Sequence, residues 1–308
     1  MKHVSVLLNE AIDGLNIKPG AIIVDGTLGG GGHTIEMIKR WGKNIKVVGI
    51  DLDTDAIERV APLVDSLPSD VIFRNDSFAN IGKVLEELNI PHVDGILLDL
   101  GLSSFQLEES GRGFTFKNDE PLQMTMKKNP TDEDLTAYEI VNTWDEKTLA
   151  DVIYNLGEER HGRKIAKAIV EARSKKEIKT TFDLVTIIEK SVGGYYKRLK
   201  IHPATRTFQA LRIVTNSELT SIEKVIDKGF NKLKEGGRFS IITFHSLEDR
   251  IVKHAFVNLH KKGYAKIINK KPILPSEEEI RSNPRSRSAK LRLLEKLDHR
   301  SDLGTKIV

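Results

Sequence analysis

Three apolar runs in the first hundred residues each stop on an aspartate: Ala21-Ile22-Ile23-Val24-Asp25, Val47-Val48-Gly49-Ile50-Asp51 and Gly95-Ile96-Leu97-Leu98-Asp99. Short continuous apolar runs of this kind read as strands buried on both faces. Val71-Ile72-Phe73-Arg74 supplies a further strand, and amphipathic stretches over 34–41, 55–65 and 81–88 supply helices between them. The alternation predicts an α/β fold, a mostly parallel sheet covered by crossover helices. With 308 residues, the chain is long enough for that sheet and a second body.

After Leu100 the pattern changes. Residues 108–130 are polar and punctuated by Gly and Pro, and helical periodicity follows over 132–142, 147–156, 163–173 and 182–192 with no convincing strand between. A helical subdomain inserted into the sheet domain is expected. Residues 217–233 then read as a helix stopped by Gly236-Gly237, and 238–244 as a fifth strand. Residues 272–292, rich in Pro, Ser and Arg, are expected to be partly flexible. The expected division is 1–107 for the first part of the sheet domain, 108–203 for the inserted helical subdomain, and 204–308 for the second part with a basic C-terminal tail.

Hydrophobic residues make up 39% of the chain and no run nears the roughly 20 apolar residues of a membrane span. No secretory signal is visible, so the expected compartment is the cytoplasm, with no membrane partner. There is no cysteine, which excludes disulfides, thiolate metal sites and thiol nucleophiles. The net charge of +4 conceals two basic segments: 160–212 carries fourteen Lys/Arg against four Asp/Glu, and 261–308 thirteen against six. Clusters of that sign suit a polyanion, because Lys and Arg neutralise phosphates and release counterions; solvated helix faces are the other reading.

Ligands of open α/β sheets bind beyond the carboxyl ends of the strands. The first strand runs into Gly26-Thr27-Leu28-Gly29-Gly30-Gly31-Gly32-His33, a turn whose bare backbone can lie against a ligand. Asp51, ending the second strand, is placed to accept from ribose hydroxyls. A dinucleotide fingerprint fails because Thr34 stands at its third glycine, and Asp25 would repel a pyrophosphate; a P-loop fails for want of Gly-Lys-Ser/Thr. A cofactor with a cationic amino-acid portion, S-adenosylmethionine, fits better, with Asp25 either serving the ammonium or capping the turn's own amides. Asp51-x-Asp53-x-Asp55 imitates a calcium loop but has Ala56 at its required glycine, so no metal is expected. His245-Ser246 lacks a nucleophile elbow; His245 and Glu248 read as a pocket-lining pair or a helix cap.

These motifs, with His3-Val4-Ser5-Val6-Leu7-Leu8-Asn9-Glu10 at the start, Asp94-Gly95-Ile96-Leu97-Leu98-Asp99-Leu100-Gly101-Leu102-Ser103-Ser104-Phe105-Gln106, Gly157-Glu158-Glu159-Arg160, His202-Pro203-Ala204-Thr205-Arg206-Thr207-Phe208-Gln209-Ala210, Phe244-His245-Ser246-Leu247-Glu248-Asp249-Arg250 and Asn283-Pro284-Arg285-Ser286-Arg287-Ser288, run nearly end to end. In that order they resemble the bacterial 16S rRNA (cytosine-N4)-methyltransferase family, also called MraW or RsmH. The resemblance implies a class I, Rossmann-like methyltransferase sheet domain with an inserted helical subdomain. It implies S-adenosyl-L-methionine as cofactor and, as substrate, a cytidine at the decoding centre of 16S rRNA in the small ribosomal subunit. It places the cofactor against Gly31, Gly32, His33, Asp51, Phe78, Asp99 and Gln106. Phe105 stands where relatives often have proline, which touches only the local backbone of that loop.

Methylation at cytosine carbon 5 ordinarily uses a cysteine adduct, which this chain cannot form; attack by an exocyclic amine needs only acceptors for the amine hydrogens. Asp99 is the first candidate for that role, with Ser103 and Ser104 after it. Arg160, Arg163, Lys164, Arg206, Arg212, Arg285 and Arg287 are candidate phosphate contacts, and the target base is expected to be extruded or unstacked. The alternative is a non-catalytic RNA-binding assembly factor that keeps the fold. Oligomeric state is left open, a homodimer included.

Overall fold

The computed structural model describes residues 5–198 and 201–298. The tip of the expected basic tail, 299–308, and His3-Val4 lie outside them. The chain forms two compact units, residues 1–101 with 219–308 and residues 102–218. Residues 204–218, expected with the sheet domain, thus belong to the helical unit.

The first unit contains α1 (Leu8–Gly14), β1 (Ile22–Asp25), α2 (Gly32–Trp41), β2 (Lys46–Asp51), α3 (Thr54–Asp65), β3 (Val71–Asn75), α4 (Ile81–Glu87) and β4 (Val93–Asp99). The second holds α5 (Ser104–Glu108), α6 (Ala137–Thr143), α7 (Glu146–Asn155), α8 (Gly162–Arg173), α9 (Thr181–Val192) and α10 (Ala204–Thr215). The first resumes with α11 (Glu218–Lys232), β5 (Leu233–Thr243), α12 (Ser246–Lys261), β6 (Ala265–Ile267), α13 (Glu277–Ser282) and β7 (Lys290–Lys296).

The seven strands form one sheet in the order β3-β2-β1-β4-β5-β7-β6. The first five are parallel, while β7 runs antiparallel to β5 and β6. The period of two sorts the apolar runs onto opposite faces. Val24, Ile96, Leu98 and Ile241 join one core with α4, α11 and α12; Ile23, Leu97 and Ile242 join another with α1 and α2. Both faces are therefore covered, which is why these strands read as continuous hydrophobic runs. The strand order reverses between β1 and β4, so the crevice of this sheet opens at the ends of those two strands. The second unit has its own core, built from Ile140, Leu149, Ile153, Ile165, Ile169, Leu184, Ile188, Phe208 and Leu211 among others.

Three expectations are corrected. The helix expected over 132–142 begins at Ala137, because Thr136 and Glu139 form a capping box there and Asp134 turns back to accept from Thr131 N at 2.9 Å. Gly236-Gly237 do not stop α11: the helix ends at Lys232 and the glycines lie in a bulge of β5, where the pairing register jumps from Val93↔Leu233 to Gly95↔Arg238. The stop comes instead from Lys296 of β7, whose ammonium donates to Phe230 O (3.0 Å) and Leu233 O (2.8 Å). Residues 272–292, expected to be partly flexible, form α13, a 3₁₀ turn (Pro284–Ser288) and the start of β7. Leu291 and Leu294 are fully buried, and Arg292 forms a two-pronged pair with Asp249.

Candidate active site

Asp51, Asp25 and Asp99 end the adjacent strands β2, β1 and β4. Each is pushed up by burial above the ordinary carboxylate range: Asp25 and Asp51 to about 6, Asp99 to about 7. For Asp99, the neighbouring Asp25, Glu248 and Glu279 carboxylates add to the effect of burial. Three carboxylates that lose water without gaining a cation make a site suited to a positively charged ligand and hostile to a pyrophosphate.

The three differ in what they already hold. Asp25 accepts from the Thr34 hydroxyl (2.7 Å) and Thr27 N (3.3 Å), which supports the turn-capping reading. Asp51 accepts from Gly29 N (2.7 Å) and Asp53 N (2.8 Å), so it ties the glycine turn to the end of β2. Asp53 in turn caps α3, accepting from Asp55 N, and this accounts for the acidic triplet that imitates a calcium loop. Asp99 is unlike both: its Oδ1 is buried and accepts no hydrogen bond among the described residues. Its backbone N–H donates to Thr27 Oγ1 at 2.6 Å, which holds β4 to the turn after β1.

The glycines serve the turn's own packing as well as any ligand. Gly31 caps α2 at φ 74°, and a Cβ there would meet Val60 at 2.7 Å; at Gly32 a Cβ would come within 1.9 Å of Ser5 Oγ. His33, in the first turn of α2, is buried with its Nε2 3.3 Å from Val6 O and its Nδ1 3.9 Å from Asp99 Oδ2. Phe78 begins a 3₁₀ turn after β3 and packs on the rim of the core that contains Leu98.

Ser103, Ser104 and Gln106 belong to the helical unit and open α5. Ser103 Oγ accepts from Gln106 N (3.1 Å) and Gln106 Oε1 from Ser103 N (3.0 Å), a capping box that engages both side-chain oxygens. His245 and Glu248 form the same device on α12, where Glu248 accepts from Phe244 N (2.7 Å) and His245 N (3.2 Å).

The basic candidates separate into groups. Arg160, Arg163 and Lys164 are exposed at the start of α8. Arg206 on α10 is half-buried and donates to Glu158 O at 3.2 Å. Arg212 is held by Glu218 through two bonds of 2.7 and 2.8 Å. Its guanidinium is thus already engaged by a two-pronged carboxylate partner. Arg285 and Arg287 are exposed on the 3₁₀ turn before β7. Residues that sequence reasoning missed include Thr34, fully buried against Asp25, and the segment Ser5-Val6-Leu7 beside Gly32 and His33. Segment 5–7 lies within the opening motif of the sequence, but no local pattern there marks a contact with the glycine turn, and none marks Thr34 as the partner of Asp25.

The site residues fit the cofactor expected for this turn. S-adenosylmethionine carries a sulfonium and an ammonium, and the three carboxylates offer that charge a counterpart; the buried Asp99 Oδ1 accepts no hydrogen bond among the described residues.

Among known proteins, the model of the MraW methylase family matches residues 1–297. The ribosomal RNA small subunit methyltransferase H of Clostridium botulinum (strain Kyoto / Type A2) is 48% identical over 311 residues, covering 96% of this chain and 99% of its own. The protein of the same name from Clostridioides difficile (strain 630) is 46% identical over 310 residues with the same coverage, 96% and 99%. Of solved structures, a putative rRNA-methylase from Clostridium thermocellum aligns with a TM-score of 0.47 at 12% identity, covering 96% of this chain and 98% of that one. A match across nearly the whole length, with relatives near half identical, means that the chain belongs to the MraW methylase family.

Proposed function

We propose that this protein methylates the exocyclic N4 of a cytidine at the decoding centre of 16S rRNA, acting in the cytoplasm on the small ribosomal subunit. Its relatives are named for methylation of small-subunit ribosomal RNA, which supports the coarser part of the reading. The observation that carries the finer part is Asp99: a carboxylate ending β4 with one buried oxygen awaiting a donor.

S-adenosyl-L-methionine is the methyl donor, and when bound it supplies a methyl group on a positively charged sulfur that is a good leaving group. Gly31, Gly32 and His33 would lie along it, Asp51 would accept from its ribose hydroxyls, and Phe78 would border its adenine. Asp99 Oδ1 would accept a hydrogen of the target amine, whose lone pair is otherwise delocalised into the ring, and would take the proton that the amine must lose. A carboxyl pushed up to about 7 is matched to that task near neutral pH. Ser103, with its oxygen engaged as a helix cap, is less suited than Asp99 to receive a proton. Within the helical unit, Arg160, Arg163 and Lys164 would contact RNA phosphates; within the sheet unit, Arg285 and Arg287 are the residues suited to that role.

The test is transfer of labelled methyl from S-adenosylmethionine to purified small subunits that lack the modification, followed by nucleoside mass spectrometry. Label in N4-methylcytidine is the expected result. Label in another nucleoside would overturn the N4 assignment, and cofactor binding without any label would favour the non-catalytic assembly factor.

A further inference from the structure

Among the contacts that join the first and last parts of the sheet unit, one hydrogen bond runs from a backbone amide to a carboxylate beside the glycine turn. Leu7 N donates to Glu279 Oε1 at 2.8 Å across 272 residues of sequence. Leu7 is fully buried and left-handed, φ 49° and ψ 39°, a conformation that bulky side chains adopt only when surroundings impose it. It is the N-cap of α1 and has no side-chain cap of its own. Glu279 is placed for the contact by α13, whose N-cap Ser276 accepts from Glu279 N at 3.1 Å.

The residues ahead of Leu7 lie on the cofactor turn. Val6 presents its carbonyl to His33 Nε2 at 3.3 Å, and Ser5 Oγ occupies the space that a side chain at Gly32 would need. On the other side of the imidazole, His33 Nδ1 faces the Asp99 carboxylate at 3.9 Å. A shift of residues 5–7 would therefore move the wall against which Gly32 and His33 are set.

We propose that Glu279 is a positioning residue for the cofactor site: by accepting the Leu7 amide hydrogen it clamps segment 5–7 in its left-handed turn, and through Val6 and Ser5 it sets His33 and Gly32. The inference rests on the cofactor assignment of the glycine turn and adds to it a group from the far end of the chain. Beyond its electrostatic effect on Asp99, Glu279 acts on the glycine turn through the strap, and the charge-removing variant below separates the two.

Two variants test it. Glu279→Ala removes the acceptor, whereas Glu279→Gln keeps an oxygen at that place and loses only the charge. Each is titrated with S-adenosylmethionine calorimetrically, without RNA, and exchange of the Leu7 amide hydrogen is followed in the cofactor-free protein. The Ala variant is expected to weaken cofactor binding about tenfold, as loss of a supporting contact behind a binding group does, and to exchange Leu7 faster. The Gln variant is expected to restore both, and the KM for RNA to stay unchanged in each. Wild-type affinity in the Ala variant overturns the proposal. So does a Gln variant as weak as Ala, or a loss of amide protection spread over the whole sheet, which would mark a merely structural contact. Failure of wild-type protein to bind S-adenosylmethionine would instead refute the cofactor assignment, while the Leu7 exchange arm still reports whether Glu279 clamps the strap.

Discussion

At the scale of single residues, the site is defined by what its carboxylates lack. Asp25, Asp51 and Asp99 hold protons more tightly folded than unfolded, since their folded values of about 6, 6 and 7 exceed the ordinary value near 4. Between roughly pH 4 and pH 7 the native state thus binds more protons than the unfolded chain, so stability of the cofactor-free protein falls as pH rises through that window. Asp99→Asn is expected to flatten the decline, gaining stability relative to wild type at pH 8 more than at pH 5, as read from denaturant midpoints. A cationic ligand reverses the sense: it favours the ionised carboxylates, so S-adenosylmethionine affinity is expected to rise from pH 5.5 to pH 8. The same Asp99→Asn change should lower kcat for methyl transfer on the order of 100-fold, because the amide cannot take a proton. Asp51→Ala is expected to lose cofactor affinity with little change in RNA binding; unchanged affinity in a titration would refute the ribose assignment.

At the scale of elements, charged side chains that look alike in sequence divide by what surrounds them. Arg212 and Glu218 are largely buried and bonded twice, so Arg212→Ala strands a carboxylate and should cost about 2–3 kcal/mol in chemical denaturation. Arg163 and Lys164 stand in solvent on α8, so their Ala variants should leave stability within about 0.5 kcal/mol. Each of those two is instead expected to reduce the slope of log K for RNA against log salt by about 1, whereas Arg212→Ala should leave the slope unchanged. Lys296 donates from another strand to the carbonyl of Phe230 in the last turn of α11 and to that of Leu233 just after it, and lies over the Phe230 ring. Lys296→Met should therefore destabilise the sheet unit by about 1–2 kcal/mol despite preserving the stem's packing.

At the scale of the whole molecule, one polypeptide leaves the sheet at Gly101, builds a separate helical core, and returns at Leu219 to finish the sheet. The parallel strands, the glycine turn and the three terminal aspartates were legible in the sequence, because strands covered on both faces must be apolar throughout and a strand that stops at a ligand crevice stops on a polar residue. The last two strands were not legible. Lys290–Lys296 alternates charge with leucine and follows a Pro/Ser/Arg stretch, so it reads as surface until β5 offers it an antiparallel partner and Asp249 neutralises Arg292. Nor could sequence distinguish Arg212 from Arg163, since burial and pairing are properties of a position and not of a residue type. The same holds for Asp25, Asp51 and Asp99: local order along the chain put an acid at the end of each strand, yet only the packed structure decided that Asp25 and Asp51 would hold the turn while Asp99 kept an oxygen free. Sequence determined the family and the parallel part of the sheet, and marked the strand ends as the candidate place for the chemistry, because these depend on periodicity and on motifs a few residues long. Tertiary structure decided which groups remain available for it, because a hydrogen bond such as Leu7 to Glu279 joins residues that no local pattern relates.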